Sequence, residues 1–163
     1  MTNPLDVADL RERIQRELDD FVAQREPIVA SISPDAHRLV SSLRAMLAGG
    51  KRLRPAFAYW GMRSAGGQDS DASVRAFAAL ELLQACALIH DDVMDGSTSR
   101  RGAPVTHEVF AAEHRDSGSS GESRRYGDGI AILVGDLAFV YSDRLMSDVP
   151  AERSEEHTSE LQS

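Results

Sequence analysis

Residues 76–102 read AFAALELLQACALIHDDVMDGSTSRRG. From Ala76 to Ile89 the stretch is apolar almost all round, with Glu81 and Gln84 as the polar exceptions. A helix of that composition belongs at the centre of a bundle and not at its edge. Started near Asp71, it runs into three carboxylates, Asp91, Asp92 and Asp95. If the helix continues through Asp95, then Asp91 and Asp95 share one face a turn apart, and Asp92 points about 100° away. Carboxylates at a helix C-terminus face the negative end of the macrodipole and repel one another, each effect costing up to about 1 kcal/mol. A hard cation relieves both. Mg²⁺ takes oxygen ligands, keeps several waters and is usually held by one or two carboxylates together with substrate phosphates. Arg100 and Arg101 follow directly, and their planar forks match phosphate oxygens. On its own, the cluster reads first as an acidic helix end beside a solvated loop; what flanks it reverses that reading.

Upstream, Leu10, Ile14, Leu18, Phe21 and Val22 recur at three- and four-residue steps, which predicts an amphipathic packing helix from Leu5 to about Ile32. Ser33-Pro34-Asp35 is a start signal, with Ser33 as N-cap, and Gly49-Gly50 a stop, so a second helix lies between them. Pro55 opens a third, through about Ser64 and before the Gly66-Gly67 break. Downstream, Gly96 to Pro104 reads as a loop, Val105 to His114 as a short helix, Asp116 to Gly127 as a Gly/Ser-rich loop, and about Asp128 to Ser147 as the last helix. No segment alternates like a strand and no internal repeat is visible, so the fold class is all-α.

The chain has 163 residues, 42% hydrophobic and 27% charged, which suits a single domain with a core. A formal charge of −8 argues against a general binder of nucleic acid or anionic membrane. The lone cysteine, Cys86, has no intrachain disulfide partner. The N-terminus shows no apolar signal core, and no apolar run approaches the roughly 20 residues of a membrane span, so a cytoplasmic protein is expected. Residues 153–163, RSEEHTSELQS, match the in-frame translation of a common sequencing adapter. They are set apart from residues 1–152, which are expected to be the N-terminal part of a longer domain.

Gly49 to Pro55, GGKRLRP, places Lys51, Arg52 and Arg54 beside flexible backbone at the mouth of a helix, where free amides also favour anions. It is a candidate second phosphate site, although either basic cluster alone could be a solvated charge run. Two basic clusters and an Asp cluster together imply two polyanionic groups and a bridging metal, with the long apolar helix as a greasy wall beneath.

GGKRLRP, LLQACALIHDDVMD and STSRRGAPVTH, in that order and spacing, resemble the trans-type polyprenyl diphosphate synthases, of the geranylgeranyl diphosphate synthase kind, over about residues 35 to 147. The resemblance implies an isoprenoid-synthase-type helical bundle and a prenyltransferase of isoprenoid biosynthesis. It implies that Asp91 and Asp95, with Asp92 in the same motif, hold Mg²⁺ on an allylic diphosphate that Arg100 contacts, and that Lys51, Arg54, Gln84 and Arg101 hold isopentenyl diphosphate. Gln84 stands where the family often has His. Ionisation of the allylic C–O bond and attack by the isopentenyl double bond need no protein nucleophile, so Cys86 reads as core; His90 reads either as a site residue or as a packed histidine, and His107 and Asp136 as packed residues. Family members are longer and carry a second Asp-rich motif that is missing here, so the truncated chain itself is expected to be inactive, and the complete enzyme to be a homodimer. A non-catalytic helical partner subunit and a terpene cyclase are the alternatives; the cyclase would not need Lys51 and Arg54. Small residues at Cys86 and Ala87, where short-chain members carry an aromatic ring, imply a product longer than farnesyl, with geranylgeranyl diphosphate the best single expectation.

Overall fold

The computed structural model describes residues 9–148. The adapter-like tail and the division after residue 152 lie outside the described residues, as does the expected helix start at Leu5. Among the described residues the chain forms α1 (Leu10–Ile32), α2 (His37–Leu47), α3 (Leu53–Ser64), α4 (Asp71–Asp95), the two-residue strands β1 (Ser99–Arg100) and β2 (Ala103–Pro104), α5 (Thr106–Asp116) and α6 (Ser123–Ser147). The architecture is an all-α bundle around α4, which touches α1, α2, α3, α5 and α6 and packs most extensively on α6.

The helices begin and end where local chemistry directs. On α1 the buried residues are Leu10, Ile14, Leu18, Phe21 and Val22, the stripe that the periodicity predicts. Ser33 caps a single 3-10 turn, Pro34–Ala36, by accepting from the Asp35 amide (3.2 Å), and that turn leads into α2. Ser70 and Ser73 form a reciprocal capping box at the start of α4. At its other end Gly96, with φ 63°, provides the left-handed residue that stops the helix, and the Ser97 amide returns to the Asp92 carbonyl (3.0 Å). Asp95 is therefore the last residue of α4, and all three aspartates lie in its final turns.

Three expectations are corrected. The stretch from Gly96 to Pro104 is not loop throughout: Arg100 pairs with Ala103 in a minimal antiparallel hairpin. Its turn residues, Arg101 and Gly102, both have positive φ (53° and 82°), the geometry whose twist matches paired strands. Secondly, α6 starts at Ser123 and not near Asp128. Gly127 reads as a loop residue in sequence but serves as a contact point, because a Cβ there would lie 2.2 Å from the His107 carbonyl oxygen of α5. Thirdly, α4 is by length and composition long and apolar enough to cross a membrane, a property shared by core helices of soluble proteins. Its burial is one-sided. Val74, Ala78, Ala79, Leu82, Ala85 and Ile89 are buried, whereas Leu83, Ala87, Asp91, Met94 and Asp95 form an open face. On α6, Leu133, Phe139 and Val140 are likewise exposed.

Candidate active site

At the C-terminal end of α4 the three aspartates have different surroundings. Asp91 and Asp95 are exposed on the open face, one turn apart, while Asp92 is 2% exposed. The hairpin folds Arg100 back over Asp92: Nε donates to both carboxylate oxygens (3.1 and 3.0 Å) and Nη2 donates to Oδ1 (2.8 Å). The same Nη2 is 3.6 Å from Asp91 Oδ2. Its hydrogen bonds to Asp92, and then the charges of Asp92, Asp91 and Asp95, hold Arg100 more firmly protonated than an ordinary arginine. Asp92 thus acts as the anchor of Arg100, turned away from the pair formed by Asp91 and Asp95. Among the described residues no group of three or more His, Cys, Asp or Glu side chains converges on a metal position. The pair alone still suits Mg²⁺, which needs few protein carboxylates when water and phosphate complete its shell.

A cleft of about 430 Å³ opens between the 49–54 segment and α4. Lys51, Arg54, Gln84 and Arg101, drawn from three separate stretches of sequence, all line it, together with Glu81 and Arg52. Lys51, Arg54 and Arg101 are exposed and free to meet a ligand, but Arg52 is 4% exposed and turned inward. The expectation of three cations at one helix mouth is corrected to two, Lys51 and Arg54, joined by Arg101 from the hairpin. α3 begins at Leu53, two residues before Pro55, which occupies its first turn. A second cleft, of about 420 Å³, lies across the hairpin between α2 and α5; Arg101 borders both, and Asp92 and Arg100 line the second.

Cys86 and Ala87 face different ways. Ala87 lies on the open face, one turn before Asp91. Cys86 packs against the core, its Sγ 3.8 Å from His90 Nδ1, and burial followed by the Asp136 charge pushes its thiol pKa up, which suits a packed residue and not a nucleophile. His90 Nε2 meets the Ile132 carbonyl oxygen at 3.2 Å and Asp136 Oδ1 at 3.7 Å. His107 is 1% exposed, within α5.

Two residues near the site are missed by sequence reasoning. Glu81 is visible only as a polar exception in an apolar run. Arg124, from the start of α6, has Nη2 3.6 Å from where a Cβ of Gly96 would stand, so a further cation lies at the end of α4. No spacing rule links residues 96 and 124, because only the packing of α6 along α4 brings them together.

Comparison with known proteins gives the following. The model of the family described as Polyprenyl synthetase matches residues 36–162. The chain is 31% identical over 135 residues to the short chain isoprenyl diphosphate synthase of Methanothermobacter thermautotrophicus, covering 83% of this chain and 35% of that protein. It is 38% identical over 120 residues to the geranylfarnesyl diphosphate synthase of Aeropyrum pernix, covering 72% and 32%. A crystal structure of geranylgeranyl pyrophosphate synthase from Corynebacterium glutamicum, complexed with isoprenyl diphosphate and magnesium, superposes with a TM-score of 0.79 at 35% identity, covering 86% of this chain and 41% of that one. The chain spans about a third of the length of the curated relatives it matches.

Proposed function

Since the chain belongs to the polyprenyl synthetase family, we propose that it forms the diphosphate-binding part of a prenyltransferase that condenses isopentenyl diphosphate with an allylic prenyl diphosphate. The observation that carries this reading is the cleft in which Lys51, Arg54, Gln84 and Arg101 meet beside the end of α4. Three cations and an amide donor around one cavity suit a diphosphate, and a site for isopentenyl diphosphate separates a prenyltransferase from a terpene cyclase. The intact Asp motif likewise favours a catalyst over a non-catalytic partner subunit.

Asp91 and Asp95 are the residues that would hold Mg²⁺ against the allylic diphosphate, and the ion would neutralise the leaving group. Arg100 presents its remaining donor edge to that diphosphate while Asp92 fixes its orientation. Lys51, Arg54 and Arg101 hold the second diphosphate, which orients the isopentenyl double bond toward the allylic carbon. The exposed apolar side of α4, with Leu83 and Ala87, is the wall along which the growing chain lies, and it excludes water from the carbocation. Electrostatic stabilisation of the departing diphosphate is the main source of rate. We take the complete enzyme to be cytoplasmic and homodimeric; the exposed Leu133, Phe139 and Val140 of α6 support burial against further protein.

The test is kinetic. In the complete enzyme, Lys51→Ala should raise KM for isopentenyl diphosphate more than for the allylic substrate. An equal effect on both refutes the assignment of the cleft.

A further inference from the structure

Arg52 combines features that a solvated basic loop would not have. Its backbone is left-handed, with φ 52°, a conformation uncommon for a residue that carries a Cβ. Its guanidinium is 4% exposed. Nη1 donates to Glu81 Oε2 of α4 (2.5 Å), and Nη2 donates to Gln15 Oε1 of α1 and to the Leu47 carbonyl oxygen at the end of α2. Arg52 itself is the N-cap of α3. One fork therefore joins four helices.

Glu81 makes this more than packing. It lines the cleft one turn before Gln84, and its side chain is 11% exposed. A carboxylate there, poorly screened, opposes any anionic group that enters. Lys51, Arg54 and Arg101 surround the same cavity from its exposed side, so the only charge at odds with an anion is that of Glu81 among the residues lining it.

Building on the reading of this cleft as the isopentenyl diphosphate site, we propose that Arg52 is a positioning residue: it neutralises Glu81 at the base of the cleft and fixes the 49–54 segment, so that Lys51 and Arg54 face Gln84. A lysine would not replace it, because a single ammonium lacks the planar fork that reaches acceptors on three helices. Glu81 in turn sets where the fork sits. The pair makes a site that attracts anions out of a wall that contains an acid.

The experiment uses the complete enzyme with Arg52→Gln, Glu81→Gln and the double variant, with Lys51→Ala as control. Arg52→Gln should raise KM for isopentenyl diphosphate roughly tenfold while leaving kcat and the allylic KM within about twofold. Glu81→Gln still accepts a hydrogen bond from Arg52 but removes the opposing charge, so it should lower that KM. The double variant should return to within about threefold of the parent, a rescue that a purely structural role would not produce. A double variant no better than Arg52→Gln, or a Glu81→Gln variant whose KM is unchanged or raised, overturns the proposal. Should Arg52→Gln not fold, Glu81→Gln decides alone by the same criterion. Lys51→Ala separates the two levels: no change there fails the reading of the cleft, whereas a rise there without rescue fails the role of Arg52 only.

Discussion

Arg100, on the strand that leads into a two-residue turn, closes on the buried carboxylate of Asp92 with three hydrogen bonds between 2.8 and 3.1 Å. The contact divides the aspartate motif by task. Asp92 is spent on holding an arginine, while Asp91 and Asp95 keep their oxygens in the open.

That division predicts different losses. In the complete enzyme, Asp91→Ala and Asp95→Ala should each lower turnover by about 10²-fold or more with little change in stability, since both side chains are exposed and act on the leaving group. Asp92→Ala should lower turnover and also destabilise the fold by about 2 kcal/mol, because it removes charged hydrogen bonds between a buried carboxylate and a partly exposed arginine. Activity assays with parallel urea melts check this; near-normal turnover of Asp91→Ala and Asp95→Ala at saturating Mg²⁺ would make those carboxylates structural.

Product length should respond to Ala87 and not equally to Cys86. A ring at Ala87 projects from the open face one turn before Asp91 and shortens the product without loss of the metal site. At Cys86, which packs beside His90, a ring should instead loosen the contact of α4 with α6. Chromatography of the dephosphorylated products gives the answer, and an unchanged distribution in Ala87→Phe would mean that the chain runs along another wall.

Gly135 should tolerate no side chain while His90 is present. A Cβ would lie 2.1 Å from His90 Nε2, so Gly135→Ala should destabilise by about 1–3 kcal/mol or more. Adding His90→Ala should recover part of that loss. Denaturation of the two single variants and the double variant would show strictly additive losses if this close approach were irrelevant.

Acid should weaken the tie between α1 and the start of α4. Arg13 binds Asp69 (3.0 Å) and Asp71 (3.2 Å). Burial pushes the Asp69 carboxyl up, but hydrogen bonds from Arg13 and Tyr59 and the Arg13 charge outweigh it and leave its pKa below the ordinary 3.8. A depressed carboxylate contributes stability above its unfolded pKa and loses it as pH falls through the folded value. With Asp69 more than a third exposed, the contribution is under about 1 kcal/mol. Carboxyl NMR should show Asp69 titrating below 3.8, and Arg13→Ala should move it upward; a parent midpoint above 3.8 would reverse the sign.

Local chemistry made much of this protein legible. The stripe on α1, the Ser33 start, the break at Gly96 and the apolar run of α4 each depend on interactions within a few residues, so the all-α class and the helix carrying Asp91 and Asp95 follow from the sequence alone. The grouping of Lys51, Arg54, Gln84 and Arg101 around one cleft agrees with the family motifs, although no spacing rule joins them. What the sequence left open depends on contacts between distant segments. Arg52 looks like its neighbours Lys51 and Arg54 until Glu81, Gln15 and Leu47 surround it. Gly127 reads as a loop residue, and Gly135 as an ordinary position in the last helix, until the His107 carbonyl and the His90 ring occupy the space a Cβ would need. Asp92, already turned to the other side of α4 from Asp91, takes its role as anchor from a hairpin that returns Arg100 to it. In each case a charge or a missing side chain takes its role from a partner elsewhere in the chain, and that partner is chosen by packing.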